Sequence, residues 1–398
     1  MRAGSRGTVT TLALVLLAAC AGPNRLSEGV LSTCPPASTL CGVRPGGPPE
    51  ATLFLVGDAG YREFADNPVL QDLRDRIVAT TERGIAVTAV FLGDNVYDVG
   101  VRDGHPEDAR LLAAQVETVR GTTAEAIFIP GNHDWANHSD SLVMVQRQWA
   151  LLEGFRLDSL PSANVRLLPE PGCPGPAEAA VTNMAGTRVA TVLAVDSQWW
   201  LTQPDTPTTC ASRSVDQATS ALRGALQSAP RGPVVLAVHH PLKTGGPHGG
   251  LHGLAGRLLY RSGLSGQEVN SGPYRSYVGD IRSTIEASEG TVFLAAGHDH
   301  TLQVHRRQIG DRTWHQIVSG SASKLSTVGA LESNGTETLL AAAMRGYVRL
   351  DIHRGGATEV TVLAGCRSYE TASAEGVADA CEPGAEMRPI WRSTIPAG

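Results

Sequence analysis

Five short polar blocks, each directly after an apolar, strand-like run, constrain this chain more than any other feature. They are Gly57-Asp58-Ala59-Gly60, Gly93-Asp94-Asn95-Val96-Tyr97, Gly131-Asn132-His133-Asp134, Val238-His239-His240-Pro241 and Gly297-His298-Asp299-His300. The runs ahead of them include Leu53 to Val56, Val87 to Leu92, Ala126 to Ile129, Val234 to Val238 and Val292 to Ala296. Short apolar runs bounded by Gly and Pro read as buried strands. A further run, Val192 to Val195, leads into Asp196-Ser197.

Helical patterns lie between the strands. Asn67-Pro68 predicts a cap and first turn, with Val69, Leu70, Leu73 and Ile77 on one face. Asp108 to Arg120 and Ser214 to Ser228 read the same way. Late in the chain, Tyr347 to Ile352 and Glu359 to Leu363 read as an antiparallel pair finishing the core. Strand–loop–helix alternation predicts an α/β domain, in which sites gather beyond the carboxyl ends of the strands. All five blocks occupy that position, so they are expected to form one site.

The chain has 398 residues, 42% hydrophobic and 18% charged, enough for one large domain or two smaller ones. The formal net charge is −6 and no continuous basic stretch occurs, which disfavours a nucleic-acid partner. Arg2 and Arg6 followed by the apolar run Val9 to Ala19 read as an export signal, too short to span a bilayer comfortably. Leu17-Ala18-Ala19-Cys20 resembles a bacterial lipoprotein cleavage box. That resemblance implies removal of residues 1–19, lipidation of Cys20 and anchoring at the bacterial cell envelope, periplasmic or outer surface. An ordinary signal peptide cut nearby is the alternative. Residues 20–49 are rich in Pro, Gly and Ser and read as a tether. Residues 50–365 would be the catalytic domain and 366–398 a tail.

Seven cysteines occur. With Cys20 set aside the rest are even in number, which in an exported chain suggests disulfides. Sequence proximity pairs Cys34 with Cys41 and Cys366 with Cys381, stapling the tail, and leaves Cys173 for Cys210. None of them shows zinc-type spacing.

Together the blocks supply carboxylates, amides, a phenol and imidazoles, enough to bind two metal ions. Two His at i and i+2 after Gly, in His298 and His300, can point at one centre. In this order the motifs resemble the calcineurin-like metallophosphoesterases, and within them the purple acid phosphatases, over roughly residues 52–325. Most members of the wider superfamily have His two places after the first Asp, where Gly60 stands here. They also lack a phenol after the second Asp, where Tyr97 stands. Leu92 to Tyr97 and Val318-Ser319-Gly320-Ser321 look like the small tartrate-resistant type.

The resemblance implies a sandwich of two mixed β-sheets flanked by helices, with a dinuclear site at the strand C-terminal ends. It implies that Asp58, Asp94, Tyr97 and His300 hold the first metal, and Asp94, Asn132, His239 and His298 the second, with Asp94 bridging. A phenolate with carboxylates suits Fe(III), and imidazoles with an amide suit Zn(II), Fe(II) or Mn(II). The implied reaction is attack of a metal-bound hydroxide on a phosphate monoester at acid pH, with His133 protonating the leaving group or supporting the site. His248, in the glycine-rich loop Lys243–Gly253, is expected either to reach the phosphate or to lie in solvent. That loop and Thr202–Ser214 read as surface loops rimming the pocket.

Asp134 is expected to orient the loop or His133, and His240 to face the pocket or pack. Trp199 and Trp200 read as core more than substrate wall. His105, His138, His252, His305, His315 and His353 read as structural or exposed. The same site could serve a phosphodiester, nucleotide or pyrophosphate, or sit in a non-catalytic surface binding protein.

Overall fold

The apolar runs ahead of the polar blocks become the central strands of two sheets in the computed structural model. The structure describes residues 46–136, 141–158, 163–230, 232–250, 266–329, 335–365 and 386–397, with short strand pieces at 25–26, 30–32, 40–41 and 332–333. The signal, Cys20, the 366–385 part of the tail and both terminal disulfide pairings lie outside the described residues, as do His138 and His252.

In chain order the longer strands are β1 (Ala51–Val56), β2 (Ala86–Phe91), β3 (Glu125–Phe128), β4 (Asn164–Leu167), β5 (Ala177–Thr182), β6 (Arg188–Ala194) and β7 (Val234–Ala237). They continue as β8 (Val292–Ala296), β9 (Leu302–Ile309), β10 (Arg312–Ser319), β11 (Thr336–Ala342), β12 (Arg345–Ile352), β13 (Thr358–Gly365) and β14 (Arg388–Ile395). Among the described residues, seven of them form each sheet. The first sheet runs β14-β13-β12-β1-β2-β3-β4 and the second β11-β9-β10-β8-β7-β6-β5. Strands β1 to β4 are mutually parallel, as are β6, β7, β8 and β10, while the remaining pairs are antiparallel. The expected sandwich of two mixed sheets is the observed fold.

The central strands read as unbroken apolar runs because both faces are covered. Leu53, Leu55, Val90, Ile127, Val192, Val235 and Phe293 form the layer between the sheets. The alternate residues Phe54, Val56, Phe91, Leu193, Leu236 and Leu294 join the helix-side core. That core receives α1 (Pro68–Glu82), α2 (Pro106–Val116), α3 (Leu142–Asp158), α4 (Ser197–Thr202), α5 (Val215–Ser228) and α6 (Gly272–Glu286). Helix α1 starts as expected: the Asn67 side chain accepts from the Val69 and Leu70 amides, with Pro68 in the first turn. Ser214 caps α5 in the same way.

Two expectations need correction. Helix α2 begins at Pro106 and ends at Val116, so Val119 packs from the following turns. The 345–352 and 358–365 pair does form, but β14 adds beyond it, so that pair does not close the sheet. Within the segment read as a tether, residues 30–32 pair with β11 and residues 40–41 with β14. Among the described residues no helix is long and apolar enough to cross a membrane.

Cys173 and Cys210 are bonded, 37 residues apart, tying the chain ahead of β5 to the loop after α4. Closing a loop of that length should stabilise the fold by about 2–4 kcal/mol. The double substitution Cys173→Ser, Cys210→Ser is therefore expected to lower the urea midpoint, and an unchanged midpoint would contradict this.

Candidate metal centre

The five blocks meet where the parallel strands of both sheets end. Asp58, Asp94 and Asn132 come from the loops after β1, β2 and β3, and His239, His298 and His300 from those after β7 and β8. Three of these residues sit in the left-handed backbone region: Asp58 at φ 58°, Asp94 at 54° and His298 at 70°. Non-glycine residues adopt that region at a cost of order 1–3 kcal/mol, which the surrounding structure must hold in place. The glycines beside them leave room. A Cβ on Gly131 would lie 2.3 Å from Asp94 Oδ1, and one on Gly93, itself at φ 90°, 2.6 Å from His239 Nδ1.

Two donor groups result. In the first, the Tyr97 hydroxyl lies 2.9 Å from Asp58 Oδ1, 2.9 Å from Asp94 Oδ2 and 3.2 Å from His300 Nε2. In the second, Asn132 Oδ1 lies 2.9 Å from His239 Nε2 and 3.1 Å from His298 Nδ1, while His239 Nε2 is 3.4 Å from Asp94 Oδ1. Asp94 thus presents one carboxylate oxygen to each group.

The outer ring atoms set which nitrogen faces inward. His239 Nδ1–H donates to the Leu92 carbonyl at 2.8 Å, freeing Nε2, and His298 Nε2–H donates to the Gln267 carbonyl at 3.1 Å, freeing Nδ1. His240 lies close to both imidazoles but its nitrogens are taken: Nδ1 meets Ser197 Oγ at 2.8 Å and Nε2 meets Gln267 Oε1 at 2.7 Å. Burial holds the His240 ring well below the usual histidine range, so it stays neutral. It supports the site from behind. Ser197 Oγ also accepts from the His239 and His240 amides.

Asp134 is the hub of the first sheet's loops. Its carboxylate accepts from the amides of Gly131, Asn95 and Val96 and from the Asn95 side chain. It orients the loops, as one expectation had it; His133 is held elsewhere. His133 Nδ1–H donates to the Asp98 carbonyl, and its ring packs 4.4 Å from that of Tyr97. Its Nε2 lies 3.9 Å from Asp94 Oδ2, with the side chain 19% exposed.

His248 is not a solvated surface residue. Its ring stacks on His298 at 3.9 Å, and Nδ1 lies 3.6 Å from Glu268 Oε1. Burial alone would lower its pKa, but Glu268 and Asp299 outweigh it and hold the ring above the ordinary histidine value. The loop around it folds inward, with Thr244, Gly245 and Gly246 buried, because Gln303, Asp299 and Gln316 take its amides. Trp199 and Trp200 are core, as are His305 and His315, whereas His105 is exposed.

Ser197 and Gln267, neither of them in the five blocks, also hold the site's imidazoles. Ser197 had a signal, since Asp196-Ser197 follows β6 just as the other blocks follow their strands. Gln267 had none, because its role depends on the fold of the segment ahead of α6.

Electrostatically the centre is poised for cations. Burial pushes the Asp58 carboxyl up to about 7, with His239 opposing and Asp94 adding to the rise. Burial also works against Asp94, but His239 and His133 outweigh it and hold that carboxyl low. Burial and the two carboxylates push the Tyr97 phenol well above its ordinary value. Paired carboxylates, a phenol and imidazoles packed this closely could hold metal ions.

No family model matches the chain, and no curated protein matches it. Several solved structures do. One is GAP50, described as the anchor in the inner membrane complex of Plasmodium, with 13% identity over 79% of this chain and 84% of that one and a TM-score of 0.50. Another is PhoD, with 13% identity over 87% of this chain and 70% of that one and a TM-score of 0.50. The purple acid phosphatase PPD1 of yellow lupin seeds aligns at 11% identity over 79% of this chain and 51% of that one, with a TM-score of 0.48, so this chain spans about half of it. What the chain shares with GAP50 and PhoD is the fold, a sandwich of two mixed β-sheets flanked by helices.

Proposed function

We propose that the protein is an exported metallophosphoesterase, an acid phosphatase that hydrolyses phosphate monoesters at a dinuclear Fe(III)–M(II) centre, M being Zn, Fe or Mn. The observation that carries this reading is the pair of donor groups sharing Asp94. Asp58, Asp94, Tyr97 and His300 would hold the first ion. Asp94, Asn132, His239 and His298 would hold the second. The oxygen-rich group, with its phenol, suits a ferric ion, and the imidazole-rich group a divalent one.

Bound there, two metal ions would supply Lewis acidity toward a phosphate ester and its attacking water. The remaining work falls to the chain. His133, with Nδ1–H committed to the Asp98 carbonyl, carries its exchangeable proton on Nε2 at the mouth and can pass it to the departing alkoxide. His248, its pKa raised against burial by Glu268 and Asp299, attracts the phosphate dianion from the side of His298 when protonated. Both roles need protonated imidazole, which favours an optimum below neutral. Export, with a lipid at Cys20, draws support from the N-terminal pattern and from the Cys173–Cys210 bond, which belongs to an oxidising compartment.

GAP50, described as an anchor, carries the same fold, so fold alone does not separate catalysis from a non-catalytic surface role. The test is metal analysis, a visible spectrum and aryl phosphate turnover on the purified domain. We expect iron, a tyrosinate colour lost in Tyr97→Phe, and turnover peaking below pH 7. A colourless, iron-free and fully active protein would remove the ferric assignment. Two bound metals with no turnover on any phosphate ester would favour the non-catalytic role.

A further inference from the structure

The centre has a cation at its mouth that none of the five blocks contains. Lys324 lies in the loop after β10, and its Nζ sits 3.6 Å from the centroid of the Tyr97 ring and 4.9 Å from that of Tyr61. A charge over the ring is within a few ångströms of the phenol oxygen, and therefore of the first donor group. The loop that carries it is laced to the centre on both sides. Ser323 Oγ donates to the Asp58 carbonyl, the Ala322 amide to the Gly57 carbonyl at 3.3 Å, and the Ser326 amide to the His300 carbonyl at 2.9 Å. Lys324 is thus fixed relative to Asp58 and His300 by backbone contacts, although its own arm is long.

Its ion pairing is slight. Among the described residues, the carboxylate within ion-pair range is Asp98, at 4.0 Å, with a side chain 78% exposed against 25% for Lys324. A pair at that distance, with its carboxylate largely in solvent, contributes little and is easily exchanged for a stronger partner. A lysine adds what His133 and His248 do not, three donors on a flexible stem; burial lowers its pKa, while Asp98, Asp94 and Asp58 oppose that shift.

We propose that Lys324 is a substrate-recognition residue, which leaves Asp98 to bind a phosphate oxygen of the ester, and of the orthophosphate product, at the open face of the Tyr97 side of the centre. The ligand class is a tetrahedral oxyanion carrying two negative charges. The inference rests on the phosphoesterase reading of the centre, and Lys324 acts on binding rather than on the supply of metal or of the leaving-group proton.

The experiment uses the full metal-loaded protein and orthophosphate as probe, with binding read by calorimetry and by competitive inhibition of aryl phosphate turnover. Lys324→Met is expected to weaken orthophosphate binding by about 10- to 100-fold, as for loss of a charge-assisted hydrogen bond. It should raise KM more than it lowers kcat and leave metal content unchanged. Lys324→Arg should restore most of the affinity. Asp98→Asn, which frees the ammonium, should tighten orthophosphate binding by about two- to threefold, and it tests the same idea should Lys324→Met fold poorly. Unchanged orthophosphate affinity in both Lys324→Met and Asp98→Asn, with metals in place, would overturn the assignment and leave Lys324 as a clip on Tyr97. A wild-type protein that takes up no metal and binds no orthophosphate would overturn the centre itself, and this inference with it.

Discussion

Asp94→Ala is expected to strip the protein of both metals and to lower kcat on an aryl phosphate by more than about 10³-fold, or roughly 4 kcal/mol of transition-state stabilisation. The size follows from position. Asp94 Oδ2 meets the Tyr97 hydroxyl in the first donor group and Oδ1 lies beside His239 in the second. Its Oδ1 also accepts the His133 amide at 2.9 Å, so the loop that carries the proton donor loses its anchor as well. Partners that merely orient a ligand are typically worth 10–100-fold, and a carboxylate shared by two ions should exceed that. Asn132→Ala, which touches only the second group, provides the contrast: it should lose one ion and keep the Tyr97 colour. Elemental analysis beside turnover reads both, and an Asp94→Ala protein that kept two metals would refute the shared-ligand arrangement.

Metal removal should destabilise the fold more at neutral pH than in acid. Burial, with Asp94 adding and His239 opposing, sets the Asp58 carboxyl at about 7 in the metal-free protein, against an ordinary value near 3.8. Between those values the metal-free native state keeps a proton that the unfolded chain has released. Its stability therefore falls as pH rises across that window. Three units correspond to about 4 kcal/mol at most. Asp94 is held low and titrates below the window, so the two carboxyls together share one proton near neutrality. Asp196, also raised to about 7 by burial, is present with and without metal and cancels in the difference. Thermal unfolding with and without chelator at about pH 4.5, 6 and 7.5 should show a gap that widens toward neutrality. A gap that stayed constant or narrowed would contradict the account.

The centre was legible because its chemistry is local. A polar residue directly after a strand buried on both faces has no packing role, so each block announces itself without knowledge of the partner strands. The same reasoning applied to Asp196-Ser197 would have found Ser197. What could not be read depends on contacts distant in sequence. Gln267 and Lys324 matter only because their segments fold back on His240, His298 and Tyr97. Helix α3 was missed because it lacks a clean apolar stripe: Val143, Trp149 and Leu157 are exposed while Val145 and Leu152 are buried. The β9–β10 hairpin was missed because its outer half carries Arg306, Arg307, Asp311 and Arg312, which look like a loop until the turn at Gly310 pairs them at the far end of two interior strands.

The two sheets contribute opposite halves of the centre, and Asp58 and His298 are 240 residues apart in the chain. Neither half can hold an ion in both groups, so the centre exists only once the sheets have docked through contacts far apart in the chain. Metal uptake thus reports the completion of assembly rather than any step before it. Under the proposed export, the compartment in which the chain folds, not the one in which it is made, would decide which metals it meets.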